Sequence, residues 1–130
     1  MKKIVAISIV LVGMLYASNG KEVYQQYCAS CHNISMESVN MATMKAPPFL
    51  EVANRVKMHY PQKKDFLRFV IDYIQNPSRE KGLCMPMAFK RFGTMPPIGK
   101  NMSDEEKKAV AEYLYNLSKN RGMCPTNGGK

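Results

Sequence analysis

An all-α fold is predicted from three features of the sequence. Apolar residues recur at helical spacing in separate stretches, prolines and glycines punctuate the chain between those stretches, and no strand or β-α-β pattern is visible around the cysteines. The chain has 130 residues, 45% of them apolar, which suits one small domain with a modest core rather than two.

Taken in order, Met1-Lys2-Lys3 and the apolar run from Ile4 to Leu15 have the basic start and apolar centre of a secretory signal. Leu15-Tyr16-Ala17 offers a cleavage site, so residues 1–17 are expected to be removed and 18–130 to form the mature domain. The apolar run is shorter than the roughly 20 residues a helix needs to cross a bilayer. The mature chain is therefore expected in the periplasm, without a stable membrane span.

A first helix is expected from Gly20 to about His32, with Gly20, Tyr24, Tyr27 and Cys31 along one side. Residues 33–45 show no clear period and read as loop, and Pro47-Pro48 drives 46–50 into an extended turn. A short helix at 49–58 is broken by Tyr60-Pro61. The next helix, 62–75, carries the stripe Phe66, Phe69, Val70, Tyr73 and Ile74 and ends at Asn76-Pro77. Residues 78–100, rich in glycine, proline and methionine, read as a long irregular loop, a length that is uncommon without a function. Ser103 and Glu106 form a capping box that opens the last helix. Val110, Tyr113, Leu114 and Leu117 make its apolar face, with Lys107, Lys108, Glu112 and Lys119 toward water and a stop at Arg121-Gly122.

Between the first helix and the loop stands Cys28-Ala29-Ser30-Cys31-His32. Two thiols separated by two residues, with histidine next, form the attachment pattern of a c-type haem. Each thiol can add across one vinyl group of the porphyrin, and His32 then supplies the proximal ligand. A zinc site would need a second ligand pair, but Cys84, Cys124 and His59 stand isolated in sequence, and a redox dithiol would want a strand before it. In an exported protein the two leftover thiols, Cys84 and Cys124, are expected to pair as a disulfide.

Formal charge is +9, from 19 basic and 10 acidic residues. The basic residues are scattered and no recognition-helix motif accompanies them, so an acidic protein partner is expected rather than nucleic acid.

This order of parts resembles the class I c-type cytochromes: an amino-terminal helix, Cys-x-x-Cys-His, a proline turn, a middle helix ending Asn-Pro, a methionine loop and a capped last helix. The likeness runs over nearly the whole mature chain. It implies a small cytochrome c fold in which helices wrap one covalently attached haem c. Gly20 and Tyr24 match the family's close crossing of first and last helices, with Val110 and Tyr113 as their expected partners. Pro48-Phe49-Leu50 resembles the family's Pro-x-Leu, which assigns the carbonyl that accepts the His32 Nδ1 proton to Pro48, with Pro47 the nearest alternative. Tyr73 is similar to a tyrosine that approaches the distal sulfur in some relatives.

The resemblance further implies a distal methionine, and the chain has 11 methionines. Met95-Pro96-Pro97, shortly before the capped helix, is the preferred candidate, so His32 and Met95 form the expected metal-ligand pair. Met85-Pro86 is the competitor, and His59 or an open site remains behind both.

The implied function is a periplasmic single-electron carrier, not an enzyme, working between a redox-protein donor and acceptor. The alternative is a haem c subunit accepting electrons from a catalytic partner, such as one oxidising sulfur compounds. A sensor or peroxidase-like protein with an open distal site is the third, and no catalytic base near the methionine loop supports it.

Overall fold

The computed structural model describes residues 18–118. The signal segment 1–17, Lys119, the Arg121-Gly122 stop, Cys124 with its expected bridge to Cys84, and the terminal tail lie outside the described residues. Within them the chain is all helical: α1 (Gly20–Tyr27), α2 (Phe49–His59), α3 (Lys63–Gln75), α4 (Pro86–Phe92) and α5 (Asp104–Ser118), with 3-10 turns at Met36–Ser38 and Ile98–Asn101.

The long last helix is the hub, packing against α1, α2 and α3. Its start is the expected capping box: the Glu106 amide donates to Ser103 Oγ at 3.1 Å and the Ser103 amide to Glu106 Oε2 at 2.8 Å. Val110, Ala111, Leu114 and Tyr115 are buried. They meet Ala53 and Val56 of α2, Phe66 and Val70 of α3, and Val23 and Tyr24 of α1 in one core. Phe66, fully buried, meets Tyr115 edge-on with ring centroids 5.2 Å apart.

α1 crosses α5 at very close range. A Cβ on Gly20 would lie 2.3 Å from the Ala109 carbonyl oxygen and 2.6 Å from Tyr113 Cβ, so only glycine lets the two backbones approach this far. The expected partner Tyr113 is there. Ala109 also lies against Gly20, and Val110 is buried in the same core as Val23 and Tyr24 of α1.

Three other expectations are corrected. α1 ends at Tyr27 rather than near His32, because the Tyr24 carbonyl accepts from both the Cys28 and Ala29 amides and the helical ladder closes there. Lys107 is buried instead of facing water. Its stem lies on the core while its ammonium reaches back to Asp104 at 2.7 Å, with only 8% of the side chain exposed.

The third correction is the supposed irregular loop 78–100, which contains α4. Pro86 opens that helix instead of breaking it, since a proline in the first turn loses no intrahelical bond, and Gly93 closes it with φ 72°.

Candidate functional site

The first wall of the site is the turn that follows α1. The Cys31 and His32 amides both donate to the Cys28 carbonyl, at 3.2 and 2.9 Å, which folds residues 28–32 into a tight turn. Cys28 is buried and Cys31 exposed, and both carry free thiols. Burial, with a smaller contribution from Cys31, pushes the Cys28 thiol up to about 11.

His32 is oriented by the chain that comes next. Its Nδ1 lies 2.6 Å from the Pro47 carbonyl oxygen. Because a carbonyl can only accept, Nδ1 carries the proton and Nε2 keeps the lone pair that a metal needs. Burial lowers the imidazole pKa, opposed in part by the Pro47 hydrogen bond, so the neutral ring is favoured.

The carbonyl is thus Pro47's and not Pro48's. Pro48 is the N-cap of α2, and its own carbonyl is already engaged by the Val52 amide at 3.1 Å in the first helical turn. No side chain caps that helix; the Phe49 and Leu50 amides instead donate to the Asn33 and Ile34 carbonyls at 2.6 and 3.0 Å. The segment leaving the haem motif therefore ties down the start of α2, and with it Pro47.

These groups open onto a cavity of about 320 Å³. Cys28, Cys31 and His32 line one side, and α2, α3 and α5 supply Val52, Val56, Val70, Ile74, Val110 and Leu114. Phe89 and Phe92 of α4, with Leu83, cover part of the rest. Met95 and Tyr73 line the same cavity. Tyr73 stacks on Phe69 at 5.7 Å, and burial, with Cys84 nearby, raises its phenol pKa. Gly93, in the left-handed region that favours glycine, turns the chain from α4 into Thr94 and Met95.

The competing candidates stand elsewhere. Met85 is 57% exposed, and neither it nor His59 at the end of α2 lines the cavity. Sequence reasoning overlooked the walls supplied by Leu83, Phe89 and Phe92, and also Arg55 and Lys45, which give this apolar lining two cations. The heptapeptide Pro-Met-Ala-Phe-Lys-Arg-Phe, proline followed by mostly good helix formers, was the available signal for α4.

The donor set fits a c-type haem. An apolar slot suits the macrocycle, two unpaired thiols at helical-turn spacing suit its vinyl groups, one histidine nitrogen is free for iron, and Lys45 and Arg55 suit its carboxylates. Among the described residues no group of three or more histidine, cysteine, aspartate or glutamate side chains is placed to hold a metal ion by itself. Nor is any helix among them long and apolar enough to cross a membrane.

Comparison with known proteins agrees with this chemistry. Residues 16–114 match the family described as cytochrome c oxidase, cbb3-type, subunit III. A protein of Aquifex aeolicus (strain VF5), described only as an uncharacterized protein, is 48% identical over 122 residues, covering 85% of this chain and 80% of that one. No solved structure matches the chain. With the family match spanning most of its length, the chain belongs to the c-type cytochromes, haem-binding electron-transfer domains, in the family named for subunit III of cbb3-type cytochrome c oxidase.

Proposed function

We propose that the protein is a periplasmic carrier of single electrons, with one haem c attached through Cys28 and Cys31 and held axially by His32 and Met95. The observation that carries this reading is the meeting, on one apolar cavity, of two free thiols, a histidine whose Nδ1 is tied to Pro47, and a methionine from the loop that follows α4. Bound there, haem supplies a one-electron couple whose potential a thioether raises. The chain's own residues exclude water from the slot, fix the histidine tautomer and hold the weak methionine ligand close. Denaturing electrophoresis with haem staining tests the attachment: colour should stay with the polypeptide through acid extraction. Cys28→Ser together with Cys31→Ser should remove it; a stained double variant contradicts the reading.

The family's description favours one more specific version, in which the chain serves as an electron-delivering subunit of a terminal oxidase. Copurification of a catalytic partner distinguishes it from a free carrier.

The partner surface is inferred from charge. Between Lys81 and Ser103 the chain carries Lys81, Lys90, Arg91 and Lys100 and no acidic residue, although the whole chain has 10 acids. Lys90, Arg91 and Lys100 are exposed near the cavity-lining residues Phe89, Phe92, Met95 and Ile98, and Arg91 also donates to the Met41 carbonyl. An acidic redox protein is the fitting occupant, because complementary charge accelerates encounter and salt screens it. Electron transfer to such a partner should slow as ionic strength rises, and Lys90→Glu should flatten that dependence. A rate indifferent to salt in the wild type rules this surface out.

A further inference from the structure

We propose that Tyr24 is a positioning residue for His32: its hydroxyl and the Pro47 carbonyl hold the histidine from both ends, and so set how strongly the imidazole donates to iron. The proposal rests on the reading of His32 as the proximal ligand. Tyr24 Oη donates to the His32 carbonyl oxygen at 2.6 Å, at the short end for a hydroxyl-to-carbonyl bond. The opposite end of the residue, Nδ1, bonds Pro47 at 2.6 Å.

Neither end has freedom to drift. Tyr24 is buried, with its ring centroid 4.6 Å from that of Phe49 and 5.9 Å from that of Tyr113. Because the His32 carbonyl can only accept, the Tyr24 hydroxyl is the donor. On the other side, the Asn33 and Ile34 carbonyls are fastened to the first amides of α2, the helix that follows Pro47 directly.

Helix crossing alone does not call for this hydroxyl. A phenylalanine ring would fill the same space between α1 and α5, and the phenol oxygen is accommodated because the His32 carbonyl accepts its proton. Without the hydroxyl, the turn 28–32 is released on its α1 side and the bond from Nδ1 to Pro47 lengthens. The imidazole then becomes a poorer donor, which disfavours the ferric state.

The test is Tyr24→Phe in the haem-loaded protein, read by redox titration and by proton NMR of the His32 ring in the ferric form. Haem should stay attached and methionine-ligated, while the ferric-to-ferrous ratio at a fixed external potential shifts several-fold toward ferrous and the ring resonances move. Tyr113→Phe, in the same aromatic cluster but without a bond to His32, should change stability and leave the potential alone. Placing 3-fluorotyrosine at position 24, a stronger donor of the same shape, should shift the ratio the opposite way, and it serves even if the phenylalanine variant folds poorly. A histidine-ligated wild type whose potential and ring resonances ignore both changes at position 24 overturns this proposal alone. A wild type without histidine-ligated haem overturns the carrier reading and this proposal with it.

Discussion

Met95→Ala should abolish the weak red charge-transfer band of the ferric protein, lower the reduction potential and open the iron to carbon monoxide, while haem stays on the polypeptide. The reason is positional. Met95 is half-buried and lines the same cavity as the cysteine turn, whereas Met85 is the exposed N-cap of α4. Around Met95 the chain is stiff: Gly93 sets its direction, Pro96 and Pro97 remove two donors and fix two φ angles, and the Ile98–Asn101 turn packs against α3. A stiff loop keeps a weak thioether in place at little entropic cost. Alanine leaves only the methyl stub, so the thioether is lost outright. Met85→Ala should leave band and potential unchanged. If the Met85 variant loses the band and the Met95 variant keeps it, the ligand assignment reverses; if both keep it, a third group binds the iron.

Much of this was legible in the sequence because it is locally encoded. The haem motif, the capping box and the apolar stripes of α3 and α5 each act within a few residues, and each stands where periodicity and motif put it. The misses came where local signals conflict or where tertiary packing decides. Proline and glycine around α4 read as loop, although proline at a first helical position starts a helix as readily as it stops one elsewhere. The choice between Pro47 and Pro48 turned on which residue becomes the N-cap of α2, and that is set by the Asn33 and Ile34 carbonyls far back in the chain. Lys107 looked exposed by period, but its methylene stem was needed over the core. Tyr24 was expected at the helix crossing; its bond to the His32 carbonyl was not foreseen, since no spacing rule carries a hydroxyl's direction.

Phe66→Ala should destabilise the haem-loaded protein by about 3 to 5 kcal/mol, measured as a lower urea midpoint at unchanged slope. Phe66 has no exposed surface and stands where α3 meets α5, edge-on to Tyr115 and one turn from Val70, which lines the cavity. The loss combines burial of a large ring, the aromatic contact and the void left behind. Collapse into that void is hindered, because Tyr115 is also engaged by the Lys57 ammonium, 3.7 Å from its ring centroid. Set against the roughly 5 to 15 kcal/mol of a typical small domain, this is a large fraction of the total. The native spectrum should nevertheless survive, since Phe66 does not line the cavity. Met58→Ala, on the exposed face of α2, should change stability by no more than about 0.5 kcal/mol. A Phe66 variant that loses less than about 1 kcal/mol would mean that the bound haem, rather than the α3 and α5 contact, carries the core, since only a large apolar group on the cavity side could compensate so fully.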